Sequence, residues 1–184
     1  MNKNFDFVII GSGPCGLLSA SILSNHGRTL VVEEGQEIKE SEKDIYTFNQ
    51  INSGYLNSGL NLAYGKPFVL LSEAKCIGGG STLNSSLHHR APNQIWNMWR
   101  EVFNLNGFSQ EEVNLAYDEI ESIFCAQKGL IKPSNFYKTA AESGELVERI
   151  PRWGVEDRDG NLRRNTAKKI FKEQILENDG QIIS

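Results

Sequence analysis

Apolar residues near the amino terminus fall into three short groups separated by polar or glycine-rich segments. Phe7-Val8-Ile9-Ile10 is a continuous apolar run of the length and residue type found in buried strands. Residues Leu17 to Leu23 combine apolar and small side chains and predict a packed helix, and Thr29-Leu30-Val31-Val32 predicts a second buried strand. The pattern therefore predicts strand, helix and strand in succession, as at the start of an α/β fold with a parallel sheet.

The turn between the first strand and the helix is Gly11-Ser12-Gly13-Pro14-Cys15-Gly16. Glycine permits the tight turn at Gly11, the approach of a pyrophosphate to the backbone at Gly13, and close contact of helix and strand at Gly16. The helix amino terminus offers free N–H groups and a partial positive charge to an anion. On its own, such a glycine pattern also suits a turn needed only for packing. We interpret Cys15 as a small residue fitted against a cofactor, because no partner cysteine is near it.

An acidic pair follows the second strand and supports the dinucleotide interpretation. Glu33 lies 22 positions after Gly11, close to the spacing of about 20 at which a carboxylate reaches the ribose hydroxyls of a dinucleotide. Either Glu33 or Glu34 suits this role, and Glu33 follows the strand more directly. Solvated acids in a turn are the alternative for both residues, more so for Glu34.

A second glycine cluster, Gly78-Gly79-Gly80, is followed by Ser81, Thr82 and Asn84. Its exposed backbone and small polar side chains suit contact with phosphate or with the polar edge of a flavin. Glycine and serine also build flexible linkers, but this cluster is short and flanked by apolar residues, which favours a cofactor contact.

The remaining pattern predicts an irregular segment and then further helices. Gln36 to Leu62 is polar, with turns expected at Asn52-Ser53-Gly54 and Asn57-Ser58-Gly59, and a short strand is expected at Phe68 to Leu71. A capping box, Ser109 to Glu112, precedes an amphipathic helix that ends near Phe124.

Nearer the carboxyl terminus, Phe136 to Ile150 predicts a helix, and Trp153-Gly154 and Asp159-Gly160 predict loops or turns. Asn165 or Thr166 is expected to cap a helix that Gly180 ends, and Gln181 to Ser184 begins a strand. Because the chain stops as this strand begins, we expect a truncated or split gene product; a compact small protein with a terminal edge strand is the alternative.

Charge and composition limit the class of protein. The net charge of −4 offers no basic field for nucleic acid, and no run of 18 apolar residues or hydrophobic amino-terminal signal segment is present. We therefore expect a soluble, cytoplasmic protein. The three cysteines are widely spaced, so neither a disulfide framework nor a metal site is expected. None of the three histidines, His26, His88 and His89, has a convincing catalytic context, and no catalytic residue is assigned.

Together these segments resemble the amino-terminal part of the glucose–methanol–choline oxidoreductases. The resemblance is carried by Phe5 to Gly13, Val32 to Gly35, Gly78 to Asn84, Arg90, and Trp96 or Trp99. It implies FAD and oxidation of an alcohol or sugar to a carbonyl. Some members attach FAD to a histidine just before the asparagine of the second motif; Leu83 stands there, so the resemblance implies noncovalent FAD. It also implies that the catalytic histidine lies near the carboxyl terminus of a longer chain.

The sequence analysis therefore predicts a Rossmann-like FAD-binding parallel sheet with the start of a mostly helical substrate-side region. Residues 1–98 are expected to form the FAD-binding core, 99–150 a helical insertion, and 151–184 the return toward the core. We expect this chain alone to be inactive without a separately supplied carboxyl-terminal part. The alternatives are a noncatalytic FAD- or nucleotide-binding fragment that acts with a separately encoded partner and, third, an NAD-linked dehydrogenase.

Overall fold

The structure is a computed structural model that describes residues 4–38, 47–128, 152–158 and 161–184. The chain forms two compact units: Met1–Ser85 together with Thr166–Ser184, and Ser86–Asn165. The functional division at residues 98 and 150 stays a prediction. In chain order the described elements are β1 (Phe7–Ile10), α1 (Pro14–Leu23), β2 (Thr29–Val32), α2 (Phe48–Gly54), a 3₁₀ turn (Leu56–Gly59), β3 (Asn61–Ala63), β4 (Val69–Leu71), α3 (Gly80–Leu83), β5 (Leu87–His88), α4 (Asn93–Phe103), α5 (Gln110–Ile123), β6 (Ala126–Lys128), β7 (Arg152–Arg158), β8 (Asn161–Arg164), α6 (Ala167–Glu177) and β9 (Gln181–Ile183).

The first unit is built on a parallel sheet with strand order β1-β2-β9. Ile10 is paired with Val32 across β1 and β2, and Val32 with Ile183 across β2 and β9. The predicted strands at both ends of the chain are therefore confirmed, and they lie in one sheet. Since parallel neighbours require a crossover, α1 connects β1 to β2. The fold is the α/β architecture that the sequence predicts.

The core of the first unit lies between this sheet and helices α1 and α6, which pack against each other. Leu17 of α1, Val31 of β2 and Ile175 of α6 are fully buried, and each contributes roughly 1.5–3 kcal/mol by leaving water. The opposite face of β1 is open: Val8 is 57% exposed and Ile10 is 80% exposed. Parallel sheets normally bury both faces, whereas among the described residues this face of β1 stays exposed.

Helix α6 begins as the sequence predicts but ends differently. Thr166 is the amino-terminal cap, and its hydroxyl accepts a hydrogen bond from the Lys169 N–H at 3.2 Å. The prediction that Gly180 ends the helix is wrong in one respect, because the left-handed position is Asp179, with φ of 59°. The N–H of Gly180 then bonds to the Ile175 carbonyl at 2.9 Å, which completes the helix end.

The first turn expected in the polar segment after β2 is wrong, because Asn52-Ser53-Gly54 lies inside α2. Thr47 caps this helix, and its hydroxyl accepts from the Gln50 N–H at 3.3 Å. Gly54 serves packing rather than a turn, since a Cβ there would lie 2.7 Å from the Ile38 side chain.

The second expected turn and the expected strand are confirmed. Asn57, Ser58 and Gly59 have φ values of 49°, 55° and 78°, the left-handed conformations of a tight reversal. The expected strand forms as β4 and pairs antiparallel with β3.

The second unit contains α4 and α5 together with an antiparallel sheet that the sequence analysis does not predict. Its strand order is β5-β7-β6, and β8 pairs with the other end of β7. Helix α5 has the predicted capping box: the Glu112 N–H donates to the Ser109 hydroxyl at 3.1 Å, and the Ser109 N–H donates to the Glu112 carboxylate at 2.7 Å.

The loop expected at Trp153-Gly154 is wrong, because both residues lie within β7. A Cβ on Gly154 would lie 2.6 Å from Nε2 of His88 on the neighbouring strand, so glycine here permits close packing. The helix predicted over 136–150 and the turn at 159–160 lie outside the described residues. Across the described part of the chain, no helix is long and apolar enough to cross a membrane.

Candidate functional site

The predicted turn at residues 11–16 lies between the carboxyl end of β1 and the start of α1. Gly11 has a φ of 90°, and its N–H donates to the Val32 carbonyl at 2.7 Å, which ties the turn to β2. A Cβ on Gly16 would lie 2.1 Å from the Gly11 carbonyl oxygen. Glycine is therefore required at both positions by the protein's own backbone, as the sequence analysis expects.

Gly13 differs from its two neighbours in the motif. Its φ of −63° and ψ of 178° are accessible to any residue, and a Cβ built there meets no atom within 4 Å. Nothing inside the described protein requires glycine at this position. Because Gly13 has no side chain, a group from outside the protein can approach its backbone directly.

The amino terminus of α1 is suited to an anion. Gly13 supplies no side-chain cap, and the first turn contains no acidic residue. Pro14 is the first helical residue and has no N–H. The next two N–H groups, those of Cys15 and Gly16, have no acceptor within the helix and point outward from its amino end. The Cys15 side chain is exposed at this end of the helix. The helix dipole adds partial positive charge to the same point.

The second glycine segment lies against the first. Gly79 has a φ of 54° and a ψ of −143°, and a Cβ on it would lie 2.8 Å from the Cα of Gly13. Gly78 has a φ of 90°, and a Cβ there would lie 2.3 Å from Oγ1 of Thr82. These contacts leave no room for a side chain at Gly78 or Gly79. The structure therefore brings together two motifs that lie more than 60 residues apart in the sequence, with the N–H of Gly78 donating to the Ser12 carbonyl at 3.0 Å.

Ser12 connects these segments to the acid after β2. It is fully buried, and both its N–H and its hydroxyl donate to Oε2 of Glu33 at 2.7 Å. The Gly78 N–H donates to the Ser12 hydroxyl at 3.2 Å. Sequence reasoning treats Ser12 only as a member of the glycine motif. A hydroxyl residue between two glycines of the motif is the sequence signal for a special role of Ser12, but the sequence does not show which groups that hydroxyl bonds to.

The two acids have different surroundings. Glu33 is half-buried, and the Gly35 N–H donates to its Oε1 at 2.9 Å. Burial raises the pKa of Glu33, but hydrogen bonds from Ser12, Gly35 and Glu34 outweigh it and hold the pKa below its usual value. Glu33 is therefore ionised at neutral pH. Glu34 is exposed and forms a 3.4 Å ion pair with Lys75.

The hydroxyls of the second segment hold that segment together. The Ser81 hydroxyl donates to the Gly78 carbonyl at 2.7 Å and accepts from the Ala167 N–H at 3.0 Å. The Thr82 hydroxyl donates to the Ile77 carbonyl at 2.9 Å. Gly80 is open, because a Cβ there meets no atom within 4 Å, and Asn84 is exposed after the short helix α3.

The histidines occupy other surroundings. Among the described residues of the first unit, His26 lies exposed in the turn after α1. The ten residues of α1 separate it by about 15 Å from the glycine motif at the amino end of the helix. In the second unit, the His88 ring packs 5.4 Å from the Phe124 ring, and burial lowers the pKa of His88. His89 is exposed. No group of three potential metal ligands occurs in the described part of the chain.

Arg90, which contributes to the family resemblance, supports the second unit. Its Nε and Nη2 donate to the two carboxylate oxygens of Glu121 at 2.7 and 2.6 Å, and Nη2 also donates to Asp118 at 2.6 Å. Arg152 forms a further ion pair with Glu121 at 3.1 Å. This paired geometry fixes α5 against the segment after β5.

The geometry of the first unit suits a ligand that carries a diphosphate and a ribose. Helix α1 presents N–H groups and positive potential beside the open backbone of Gly13, and Glu33 presents an ionised acceptor at the tip of β2. A family model described as GMC oxidoreductase matches residues 5–172. The chain belongs to the GMC oxidoreductase family. The resemblance stated from the sequence is therefore confirmed.

Several relatives are similar to this GMC oxidoreductase chain over part of their length. An uncharacterized GMC-type oxidoreductase, y4nJ, from Sinorhizobium fredii is 30% identical over 64% of this chain and 23% of its own. Long-chain-alcohol oxidase FAO4A from Arabidopsis thaliana is 29% identical over 71% of this chain and 17% of its own. Pyranose dehydrogenase from Agaricus xanthodermus is 31% identical over 61% of this chain and 20% of its own. The matches thus span about a fifth of these relatives.

Solved structures share the fold. Pyridoxine 4-oxidase from Mesorbium loti superimposes with a TM-score of 0.60 and 19% identity, over 98% of this chain and 42% of that one. An FAD-dependent oxidoreductase from Chaetomium thermophilum gives a TM-score of 0.58 and 16% identity, over 98% of this chain and 38% of that one. The likeness confirms a partial Rossmann-like domain.

The contact between the glycine segments predicts a sharp difference between two neighbouring substitutions. Gly79→Ala places a Cβ against the Gly13 backbone at a glycine-only conformation, so we expect it to lower the free energy of unfolding by about 1–3 kcal/mol. Gly80→Ala adds the same methyl group in open space, and we expect no loss of stability. Urea denaturation of both variants measures the difference; equal stability of the two would contradict the contact.

Proposed function

We propose that this chain is the FAD-binding amino-terminal part of a flavoprotein that oxidises a CH–OH group of an alcohol or sugar to a carbonyl. The observation that supports it most is the open backbone at Gly13, beside the uncapped amino terminus of α1 and the ionised Glu33. Two relatives are named as oxidising or dehydrogenating alcohols or sugars.

Each site residue has a proposed role that follows from its geometry. Gly13 and the first free N–H groups of α1, beside Pro14 and Cys15, would hold the diphosphate of FAD. Glu33 accepts hydrogen bonds from the ribose hydroxyls, and Glu34 lies at the rim of this contact. The second segment, including Gly78, Gly79, Ser81 and Asn84, provides the further backbone and polar contacts to the cofactor.

The fit of FAD rests on which glycines the fold itself requires. Gly11, Gly16, Gly78 and Gly79 are needed for backbone conformation or internal packing. Gly13 and Gly80 are not, since a Cβ on either meets open space. Their absent side chains leave room for a bound group on the same unit. Bound flavin supplies the two-electron acceptor for the hydride that leaves the alcohol carbon.

We further propose that the 184 residues alone do not complete this reaction. Alcohol oxidation also needs a base to take the hydroxyl proton, and such help is worth about 10²–10⁴-fold in rate. Of the described residues in the first unit, His26 is the one histidine, and it lies at the far end of α1 from the glycine motif. The family resemblance implies that the base belongs to a carboxyl-terminal region of a longer chain.

The exposed Val8 and Ile10 support a further polypeptide segment that covers the open face of β1, in the same chain or separately encoded. A noncatalytic FAD-binding part that acts with such a partner is the second candidate function, favoured by the same exposed face.

The functional division into residues 1–98, 99–150 and 151–184 remains part of this proposal. We place the protein in the cytoplasm because its three cysteines are unpaired.

Gly13→Val tests the cofactor site. We expect the affinity of the variant for FAD to fall at least tenfold, because its side chain occupies the space proposed for the diphosphate. The fold is retained, because a Cβ at this position meets no protein atom within 4 Å. Gly107→Val is the matched control, since a Cβ at Gly107 also meets open space and lies outside the site. Flavin fluorescence titration measures the affinity; equal affinity of wild type and Gly13→Val would place the site elsewhere.

The mode of attachment is tested by acid precipitation of the FAD-loaded chain. We expect all flavin absorbance in the supernatant, because Leu83 offers no nucleophile for a covalent bond. Yellow colour that stays with the washed pellet would show covalent attachment.

The absence of a competent base is tested by an alcohol oxidation assay. The purified, FAD-loaded chain is mixed with primary, secondary and sugar alcohols and an artificial electron acceptor, and we expect no substrate-dependent dye reduction. The Gly13→Val variant controls for contaminating enzymes. Turnover by the wild-type chain that this variant abolishes would show that the 184 residues contain a complete active site.

A further inference from the structure

Ser12 has more polar contacts than a residue of a glycine turn needs. Its side chain is fully buried, its hydroxyl donates to Oε2 of Glu33 at 2.7 Å, and the same hydroxyl accepts from the Gly78 N–H at 3.2 Å. Its own N–H also donates to Glu33 at 2.7 Å, and the same Gly78 N–H is shared with the Ser12 carbonyl at 3.0 Å. One small residue thus reaches both the acid after β2 and the second glycine segment.

The hydroxyl contributes something that the backbone bonds do not. Since it accepts from Gly78, its own proton is directed at Glu33, and the two bonds fix its rotation. Oε2 of Glu33 then receives two donors from Ser12, while Oε1 receives the Gly35 N–H. These bonds hold the carboxylate in one orientation, and removal of the hydroxyl takes away one of the two Ser12 donors to Oε2.

We propose that Ser12 is a positioning residue that fixes the Glu33 carboxylate relative to the second glycine segment, so that Glu33 meets the ribose of the bound cofactor already oriented. This inference rests on the proposed FAD site. Hydrogen bonds to a charged group are among the stronger ones in proteins, so the loss of one changes the orientation of its acceptor. The diphosphate contact depends on Gly13 and α1 and does not involve the hydroxyl.

The affinity for a nucleotide therefore has two separable parts, one from the diphosphate and one from the ribose hydroxyls. ADP presents a diphosphate and a ribose with both hydroxyls, whereas 2′,3′-dideoxy-ADP presents the same diphosphate without them. A residue that positions Glu33 affects only the part of the affinity that the ribose hydroxyls supply. A residue that merely supports the fold affects both ligands alike.

Titration calorimetry of the full 184-residue chain with both nucleotides measures this separation. We expect Ser12→Ala to weaken ADP binding about tenfold or more, which corresponds to one hydrogen bond to a charged group. Its affinity for dideoxy-ADP should stay within about twofold of wild type, since the diphosphate contact is unchanged. Ser19→Ala is the matched control, because Ser19 is an exposed serine on α1, the helix that follows the turn, and its affinities should equal those of wild type.

Equal weakening of ADP and dideoxy-ADP by Ser12→Ala, or no weakening of either, would overturn the inference. If Ser12→Ala fails to fold, Ser12→Cys replaces it, since a thiol is a weak donor of similar size. The same selective loss of ADP affinity is then expected, and equal loss of both ligands would overturn it. Wild-type protein that binds neither FAD nor ADP would contradict the proposed function and this inference together, whereas normal ADP binding by Ser12→Ala would contradict the inference alone.

Discussion

The candidate site depends on the direct contact of two stretches of backbone. Gly79 lies so close to Gly13 that any side chain on it would meet the Gly13 Cα at 2.8 Å, and the N–H of Gly78 bonds to the buried Ser12. Because Ser12 also holds Glu33, this contact brings the helix amino terminus, the acid after β2 and the second glycine segment into one site. Glycine at positions 78 and 79 is therefore a requirement of assembly before any ligand is considered.

The same geometry distinguishes glycines that the fold requires from one that it does not require. Glycines that the fold needs show either a positive φ, as at Gly11, or a blocked Cβ direction, as at Gly16. Gly13 shows neither and faces open space beside an uncapped helix end, where N–H groups and the helix dipole favour an anion. With the ionised Glu33 nearby, the proposed site offers the two features that a dinucleotide needs, which are positive potential for the diphosphate and an acceptor for the ribose.

The parts of the fold that sequence predicts are those with local causes. The short apolar runs give β1 and β2, the Ser109 capping box gives α5, and the glycine spacing gives the turn before α1. The turn expected at residues 52–54 and the loop expected at Trp153-Gly154 are wrong. The glycines there, Gly54 and Gly154, serve close packing against distant side chains, those of Ile38 and His88. The link from Ser12 to Gly78 is missed for the same reason, since it joins segments with no local pattern in common.

The central claim is that FAD binds over the amino terminus of α1, against the two touching glycine segments. The most direct measurement is an NMR titration of the isotopically labelled chain with FAD, which follows the backbone amide of each residue. We expect the largest shifts at Gly13, Cys15, Gly16 and Gly80, with smaller ones at Glu33. Saturable binding whose shifts leave these amides unchanged and lie elsewhere in the chain would contradict it.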